Sequence, residues 1–214
     1  MAAKITYKDD GPFLVEGLES LKDADGTLLE VDPGETQALC RCGRSADKPF
    51  CDGTHTRCGV QQPAEADAAG KDTVLTYEGR EITVLYNPRI CSHAAVCVRS
   101  QPEVFDPDRK PWIDPDRADA RQVLAAVRGC PSGALRVMED GTPTHKVLET
   151  RAQIEVQPDG PLWVTGPALD TGDGLPGEGG TEDRYVLCRC GLSGNKPYCD
   201  GSHHDLKWTA RDEH

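Results

Sequence analysis

The sequence has few aromatic residues and no long apolar stretch, which limits the kind of protein that it can encode. Aromatic residues make up 5% of the 214 residues and hydrophobic residues 37%, whereas there are 22 glycines and 16 prolines. This composition predicts loop-rich domains with small hydrophobic cores. Cores of that size usually need cross-links or bound metals for stability.

Signals for export, membrane insertion and nucleic-acid binding are also missing. No window of 18 apolar residues occurs, and the first eleven residues lack the basic and apolar stretches of a secretory signal. The 24 basic residues are scattered among 36 acidic ones, which gives a net charge of −12. A phosphate backbone requires a basic stripe. We therefore expect a cytoplasmic protein with neither a membrane nor a nucleic acid as partner.

The ten cysteines stand out against this background, and most of them belong to a unit that occurs twice. ITYKDDGPFLVEG (5–17) aligns with IEVQPDGPLWVTG (154–166), and CRCGRSADKPFCDGTH (40–55) aligns with CRCGLSGNKPYCDGSH (188–203). Each copy is predicted to contain two strands joined by a turn at Asp-Gly-Pro, a variable loop, a short apolar run and the cysteine loop. Neither copy can bury much surface alone, so we expect the two to pack about a pseudo-twofold axis within a monomer.

Each copy ends in four potential ligands at the same spacing. The two sets are Cys40, Cys42, Cys51, His55 and Cys188, Cys190, Cys199, His203. In a reducing cytosol, closely spaced cysteines are metal ligands more often than disulfides. Three thiolates and one imidazole suit either a zinc ion or an iron-sulfur cluster. The single residue between the first two cysteines favours the wider inorganic core, but the spacing leaves both alternatives open.

The two motifs resemble the CDGSH iron-sulfur domain family in ligands, spacing and the Lys-Pro-aromatic sequence before the third cysteine. The resemblance covers about half of the chain. It implies a strand-exchanged β architecture and one [2Fe-2S] cluster per motif. In the first motif, Cys40 and Cys42 would bind one iron and Cys51 and His55 the other, and the second motif would do the same. The best-known members carry a membrane anchor, so their location is not transferred to this chain.

A histidine ligand has chemical consequences for such a site. A neutral imidazole in place of a thiolate leaves the site one unit less negative, so its reduction potential should be higher than that of an all-cysteine site. A protonated imidazole no longer coordinates a metal. We therefore expect the terminal sites to be labile in mild acid.

Three further cysteines, Cys91, Cys97 and Cys130, lie between the two copies in the contexts CSHAAVC and CPSGAL. Ala94 occupies the position of the middle cysteine of a bacterial CxxCxxC run. The stretch from about residue 73 to 139 resembles the divergent single-cluster ferredoxins, which implies a cubane-type cluster. Three cysteines imply [3Fe-4S], or [4Fe-4S] with another ligand, and His93 is a possible iron ligand.

The remaining cysteine and three histidines fall outside these spacings. Cys58 has no counterpart in the second copy and is predicted to be a free thiol. His145, His204 and His214 are predicted to be solvated.

The predicted fold class is α+β, with two small β-rich modules at 1–66 and 150–214 packed as an intramolecular pseudo-dimer, and a ferredoxin-like α+β domain at 73–140. Hydrophobic periodicity divides that domain into short elements. The predicted elements are a strand at 81–86, a short helix at 92–99, a helix at 116–128 and a strand at 134–139.

The predicted function is that of an electron carrier, in which two kinds of cluster with different potentials pass electrons to a redox protein. The alternatives are cluster storage or transfer to an apo-protein acceptor, and a structural zinc protein. The chain shows no nucleophile motif, no HExxH and no phosphate loop, so we do not expect an enzyme.

Overall fold

The computed structural model describes residues 3–60, 72–144, 152–170, 172 and 174–211. The described residues form an α+β structure of three sheets connected by loops and short helices. The strands are β1 Lys4–Tyr7, β2 Phe13–Glu16, β3 Ser20–Lys22, β4 Leu28–Leu29, β5 Gln37–Leu39, β6 Leu75–Glu78, β7 Thr83–Tyr86, β8 Leu135–Glu139, β9 Thr142–Thr144, β10 Gln153–Val156, β11 Leu162–Thr165, β12 Ala168–Leu169 and β13 Arg184–Leu187. The helices are α1 His55–Cys58, α2 Val96–Ser100, α3 Ala120–Arg128 and α4 Ser202–Asp205, with 3-10 turns at Pro88–Ile90 and Pro115–Arg117. Within these ranges, no helix has the length and apolar character needed to span a membrane.

The predicted hairpins of the two repeats are both present. β1 pairs antiparallel with β2, and β10 pairs antiparallel with β11. In the first hairpin Asp10 adopts a positive φ of 56°, which closes the Asp-Gly-Pro turn. Phe13 and Val15 on β2 are buried, whereas Leu14 and Glu16, which alternate with them, are partly exposed. This alternation is typical of a strand with one face against a core.

The segments predicted as variable loops contain strands that cross between the copies, which corrects the loop prediction and agrees with the strand exchange that the family resemblance implies. β12 from the second copy lies parallel to β1, and β3 from the first copy lies parallel to β10. The resulting sheets have the orders β12-β1-β2-β5 and β13-β11-β10-β3-β4. Each sheet therefore contains one or more strands from the other repeat.

The two sheets enclose one hydrophobic core to which both repeats contribute. Its buried members are Ile5, Phe13, Val15, Leu18, Leu21, Leu39, Ile154, Val156, Leu162, Val164, Tyr185, Leu187 and Tyr198. The sharing of one core fits the small apolar content of each repeat, because neither set of residues would exclude water by itself.

The central domain is a four-stranded sheet, β6-β7-β8-β9, packed against α3. The predicted strand at 134–139 is confirmed as β8, and that at 81–86 corresponds to the shorter β7. The long helix begins later than predicted, because Asp119 accepts hydrogen bonds from two backbone N–H groups and forms a capping box. It ends before Gly129, as predicted.

The predicted short helix at 92–99 is wrong in its first half. His93 and Ala95 both have φ of 53°, a left-handed conformation that a right-handed helix cannot contain. The helix α2 therefore begins at Val96. The preceding loop holds the His93 side chain at the surface, on the side that faces the second repeat.

Candidate metal centres

The first cysteine motif brings its four predicted ligands together as two close pairs. Cys40 Sγ and Cys42 Sγ lie 3.9 Å apart, and Cys51 Sγ lies 3.2 Å from His55 Nδ1. Cys40 directly follows β5, and the backbone N–H of Cys51 donates to the carbonyl of Ala38 on that strand. The strand thus fixes the positions of the first and third cysteines relative to each other.

The second motif repeats this arrangement. Cys188 Sγ and Cys190 Sγ lie 3.7 Å apart, and Cys199 Sγ lies 3.4 Å from His203 Nδ1. Cys199 again donates its backbone N–H to the preceding strand, at the carbonyl of Val186. The two motifs therefore share their geometry as well as their sequence.

The ligand atoms do not form the compact group that a single zinc ion requires. A tetrahedral zinc with Zn–S of about 2.3 Å would hold its sulfur ligands about 3.8 Å apart. Among the described residues, His, Cys, Asp and Glu side chains offer three ligand atoms within 4.8 Å of one another only at His93, His204 and Asp205. Each motif instead offers two separated pairs, an arrangement that suits a core with two metal atoms.

The surroundings of the paired thiols favour a thiolate in each pair. Hydrogen bonding with Cys42 is the main cause that lowers the pKa of Cys40, and Cys190 does the same for Cys188. A thiolate is the form that binds metals. At the third cysteine of the first motif, Cys51 Sγ accepts a hydrogen bond from the N–H of Gly53 over 3.4 Å. This bond provides a further partner for negative charge on sulfur.

The two motifs differ in their exposure to solvent. In the first, Cys42, Cys51 and His55 are all partly exposed. In the second, the equivalent Cys190, Cys199 and His203 are 7%, 3% and 9% exposed. Burial also lowers the pKa of His203, because it disfavours the protonated ring. The first site is therefore the more accessible of the two.

Two buried arginines border these sites and were missed in the sequence analysis. Arg41 donates to the carbonyls of Gly11 and Lys8, and its guanidinium lies 4.0 Å from the centre of the Tyr7 ring. Arg189 makes the equivalent hydrogen bonds, to Gly160 and Gln157. The signal that could have found them is the identical Cys-Arg-Cys sequence in both motifs.

Each arginine acts electrostatically across the repeat boundary. Burial is the main cause that lowers the pKa of both guanidinium groups. The negative charge of Cys40 opposes this effect at Arg189, and that of Cys188 opposes it at Arg41. Each repeat therefore places a buried positive charge near the cysteines of the other.

The cysteine loops of the two repeats are also in direct contact. Gly43 and Gly191 have φ of 79° and 80°, and each lies against the carbonyl of the second cysteine of the other motif, Cys190 or Cys42. A side chain at either glycine would collide with that carbonyl. The contact therefore requires glycine on both sides.

Two of the three central cysteines line one cavity, and the third lies in the adjacent core. Cys91 and Cys97 line a cavity of about 620 Å³ together with Tyr86 and Trp112, and Cys130 is buried in the domain core beside them. Burial, and then the nearby Cys130, raises the pKa of Cys91 and raises that of Cys97 to about 12. Three thiols in such apolar surroundings fit a bound cationic centre that would keep them deprotonated.

His93 lies where the central domain meets the second repeat. Its ring borders the cavity that Cys91 and Cys97 line, and it packs directly on Gly201, whose added Cβ would come within 2.8 Å of the ring. Its Nδ1 atom also lies 3.7 Å from Asp205 Oδ1. The prediction that His93 is an iron ligand of the central site stays a prediction.

The other cysteine and histidines have varied positions. Cys58 is partly exposed at the end of α1, with its Sγ 3.3 Å from the carbonyl of Gly59. His204 is exposed, as predicted, and its Nδ1 lies 3.1 Å from Asp205 Oδ1. His145 and His214 lie outside the described residues.

Comparison with known families covers the two repeats and the segment between them. The family model for the iron-binding zinc finger of CDGSH type matches residues 10–56 and 159–204, which include all eight terminal candidate ligands. The model for the divergent 4Fe-4S mono-cluster matches residues 77–140, which include the three central cysteines. The chain therefore contains two regions that match the CDGSH family and, between them, one region that matches the divergent 4Fe-4S mono-cluster family.

Sequence relatives and solved structures add little to this assignment. Two Escherichia coli proteins, from strains K12 and O157:H7 and both called uncharacterized protein YjdI, are 45% identical to the chain over 60 residues. The match covers 28% of this chain and 79% of each relative. No solved structure matches. The matches to the two family models confirm the predicted architecture, in which two CDGSH regions flank a divergent 4Fe-4S region.

Proposed function

We propose that this protein is a cytoplasmic electron carrier that holds three iron-sulfur clusters. Cys40, Cys42, Cys51 and His55 would bind one [2Fe-2S] cluster, and the equivalent residues of the second CDGSH module would bind another. Cys91, Cys97 and Cys130 would bind a [3Fe-4S] or [4Fe-4S] cluster. When bound, such clusters supply centres that accept and release single electrons.

The observation that carries this proposal is the contact between the central site and the second CDGSH site. The His93 ring, two residues from Cys91, packs on Gly201, two residues from Cys199. Burial is the main cause that raises the pKa of Cys199, and Cys91 of the central domain is among the charges that add to it. Adjacent sites of two different types are useful for electron transfer, because electrons need only a short path between centres of different potential.

The proposal includes an intramolecular pseudo-dimer of CDGSH modules, with boundaries at 1–66, 73–140 and 150–214. Reciprocal strand pairing, the shared core and the glycine contacts between the cysteine loops support this arrangement. One chain would then provide what two copies of a single module would otherwise assemble.

A second candidate function, the delivery of clusters to an apo-protein acceptor, is supported by one specific difference. The first site has Cys42, Cys51 and His55 partly exposed, whereas the second site is buried. An acceptor protein needs access to the ligands in order to exchange them. Delivery would therefore involve the first site.

Electron paramagnetic resonance of the purified protein during stepwise reduction tests the electron-carrier proposal. We expect two classes of signal, one for the central cluster and one for the CDGSH clusters, together with about three clusters' worth of iron and sulfide per chain. Magnetic interaction between the central cluster and one CDGSH cluster is expected from their adjacency. A colourless, folded protein that contains zinc and no sulfide would contradict the proposal.

Incubation with an apo-ferredoxin distinguishes the two candidate functions. Prompt transfer of intact clusters to the acceptor would favour delivery over electron transfer. We expect no transfer within the time of a redox titration, while the reduced protein reoxidises in the presence of an oxidised ferredoxin.

A further inference from the structure

A group of three potential metal ligands lies outside all the cysteines. His93, His204 and Asp205 each offer a ligand atom, and these atoms lie within 4.8 Å of one another. Asp205 Oδ1 is at the centre of the group, 3.1 Å from His204 Nδ1 and 3.7 Å from His93 Nδ1. All three side chains are exposed, by 68%, 37% and 64% for His204, His93 and Asp205.

We propose that these three residues form a binding site for a divalent transition metal ion between the central domain and the second CDGSH module. Two imidazoles and one carboxylate are a donor set that zinc, nickel, copper and ferrous iron accept. With metal–ligand distances of about 2.0–2.2 Å, a tetrahedral zinc needs its nitrogen and oxygen ligands about 3.3–3.6 Å apart, close to the distances from Asp205 to the two histidines. Solvent would complete the coordination.

The backbone holds His93 in the position that this site needs. His93 has a φ of 53°, in the left-handed region that histidine enters more readily than most residues. Its ring then lies over Gly201, which has a φ of 90° and no side chain to obstruct it. The ring is thereby directed across the domain boundary towards α4.

The first CDGSH module lacks the same residues, although the two motifs are otherwise alike. Thr56 and Arg57 stand where the second module has His204 and Asp205, at the offset of 148 that aligns His55 with His203. Gly53, the counterpart of Gly201, has nothing within 4 Å of an added Cβ. The ligands therefore occur only in the module that the central domain contacts, and a bound metal would join the two.

The test is zinc binding to untagged protein that contains its full complement of iron. Equilibrium dialysis against Zn²⁺ followed by elemental analysis should give one zinc per chain, with the iron and sulfide content unchanged. Loss of a second-shell partner already weakens metal binding by about 10–100-fold, so loss of a direct ligand should weaken it by at least about tenfold. His93→Asn keeps a side chain that tolerates the left-handed conformation, and His204→Thr and Asp205→Arg introduce the residues of the first module.

Matched controls come from that first module. Thr56→Ala and Arg57→Ala alter the equivalent positions and should leave zinc binding unchanged. The visible absorption of His204→Thr, Asp205→Arg and the two controls should equal that of the parent, which shows that the clusters and the fold are retained. Equal zinc binding by the parent and all three site variants, or no zinc retained by the parent, would overturn the proposal. Neither result would affect the cysteine sites, which are measured separately by iron and sulfide.

Discussion

Single residues at the contact between the cysteine loops decide how closely the two repeats approach. Gly191 has a φ of 80°, and a Cβ added there would lie 2.7 Å from the carbonyl oxygen of Cys42. Real Cβ atoms do not approach backbone that closely, so one of the loops must move. An alanine substitution at a left-handed glycine with open space around it should lower the free energy of unfolding by less. This difference allows the contact between the loops to be tested.

We expect Gly191→Ala to lower the free energy of unfolding by at least about 2 kcal/mol, because it combines left-handed strain with a collision in a packed region. Gly26→Ala is the matched control. Gly26 has a φ of 87° with open space around it, so its substitution should cost only the strain of about 1–2 kcal/mol. Denaturant unfolding of the iron-loaded proteins measures both. Equal losses for the two variants would show that the loops do not touch as described.

The buried arginines give a second prediction at the scale of single residues. Arg189 belongs to the second repeat, and its substitution should affect the metal site of the first repeat. Arg189 is 2% exposed and donates to two carbonyls, so Arg189→Met should lower the free energy of unfolding by about 2 kcal/mol. Removal of its positive charge near Cys40 should also lower the reduction potential of the first site. Redox titration followed by electron paramagnetic resonance measures this shift.

Arg57→Met is the control for the arginine prediction, because Arg57 is exposed on α1. It should change the free energy of unfolding by no more than about 0.5 kcal/mol. An unchanged potential at the first site in Arg189→Met would exclude the electrostatic role across the repeat boundary.

At the scale of elements, the strands that the sequence predicted are those stabilised by local pairing. β1 and β2, like β10 and β11, are joined by an Asp-Gly-Pro turn, so both the turn residues and the alternation of buried side chains mark them. β3 and β12 have three and two residues and pair with a strand of the other repeat. Residues of β3 lie 133 positions from their partners on β10, and no local pattern signals such a pairing.

The candidate sites were predictable to a similar extent. The eight terminal candidate ligands follow from an exact repeat of spacing, and the structure brings them together as two pairs in each motif. The positions of His93 and Asp205 were not predictable, because their proximity depends on how two domains meet. The start of α2 was missed for a different reason, since alanine is a strong helix former and its residue type does not signal the positive φ of Ala95.

Because β3 of the first repeat pairs with β10 of the second, we expect a substitution on β3 to weaken the sheet of the second repeat. Leu21 on β3 is fully buried and pairs with Ile154 on β10. Leu21→Ala should lower the free energy of unfolding by about 3 kcal/mol, from lost burial and a remaining cavity. Hydrogen exchange should report faster exchange in β10 and β11 as well.

Leu28 on the neighbouring β4 is 67% exposed and provides the control for Leu21. Leu28→Ala should change the free energy of unfolding by no more than about 0.5 kcal/mol. If Leu21→Ala accelerates hydrogen exchange only in the first repeat, β3 does not contribute to the sheet of the second repeat.

For the whole molecule, the central domain is attached to one end of the repeat pair. Arg89 of the 3-10 turn reaches Asn195 in the second cysteine loop, and Asn87 donates to the carbonyl of Glu178. These contacts and that of His93 on Gly201 cover the second site. Cys42, Cys51 and His55 of the first CDGSH site, in contrast, are partly exposed among the described residues.

This asymmetry predicts that iron leaves the two CDGSH sites at different rates. A chelator must reach the ligands, and those of the first site are partly exposed whereas those of the second are buried. Loss of visible absorption at neutral pH should therefore show a fast and a slow phase. We expect the rates to differ by at least about tenfold, which corresponds to about 1.4 kcal/mol in activation free energy.

Two matched variants assign the phases to the sites. His55→Cys replaces the imidazole of the first site by a thiolate that holds iron more firmly, so it should slow the fast phase alone. His203→Cys should slow the slow phase alone and lower the reduction potential of the second site, because a thiolate adds negative charge. If His203→Cys instead slows the fast phase, the second site is the accessible one, and the central domain does not shield it.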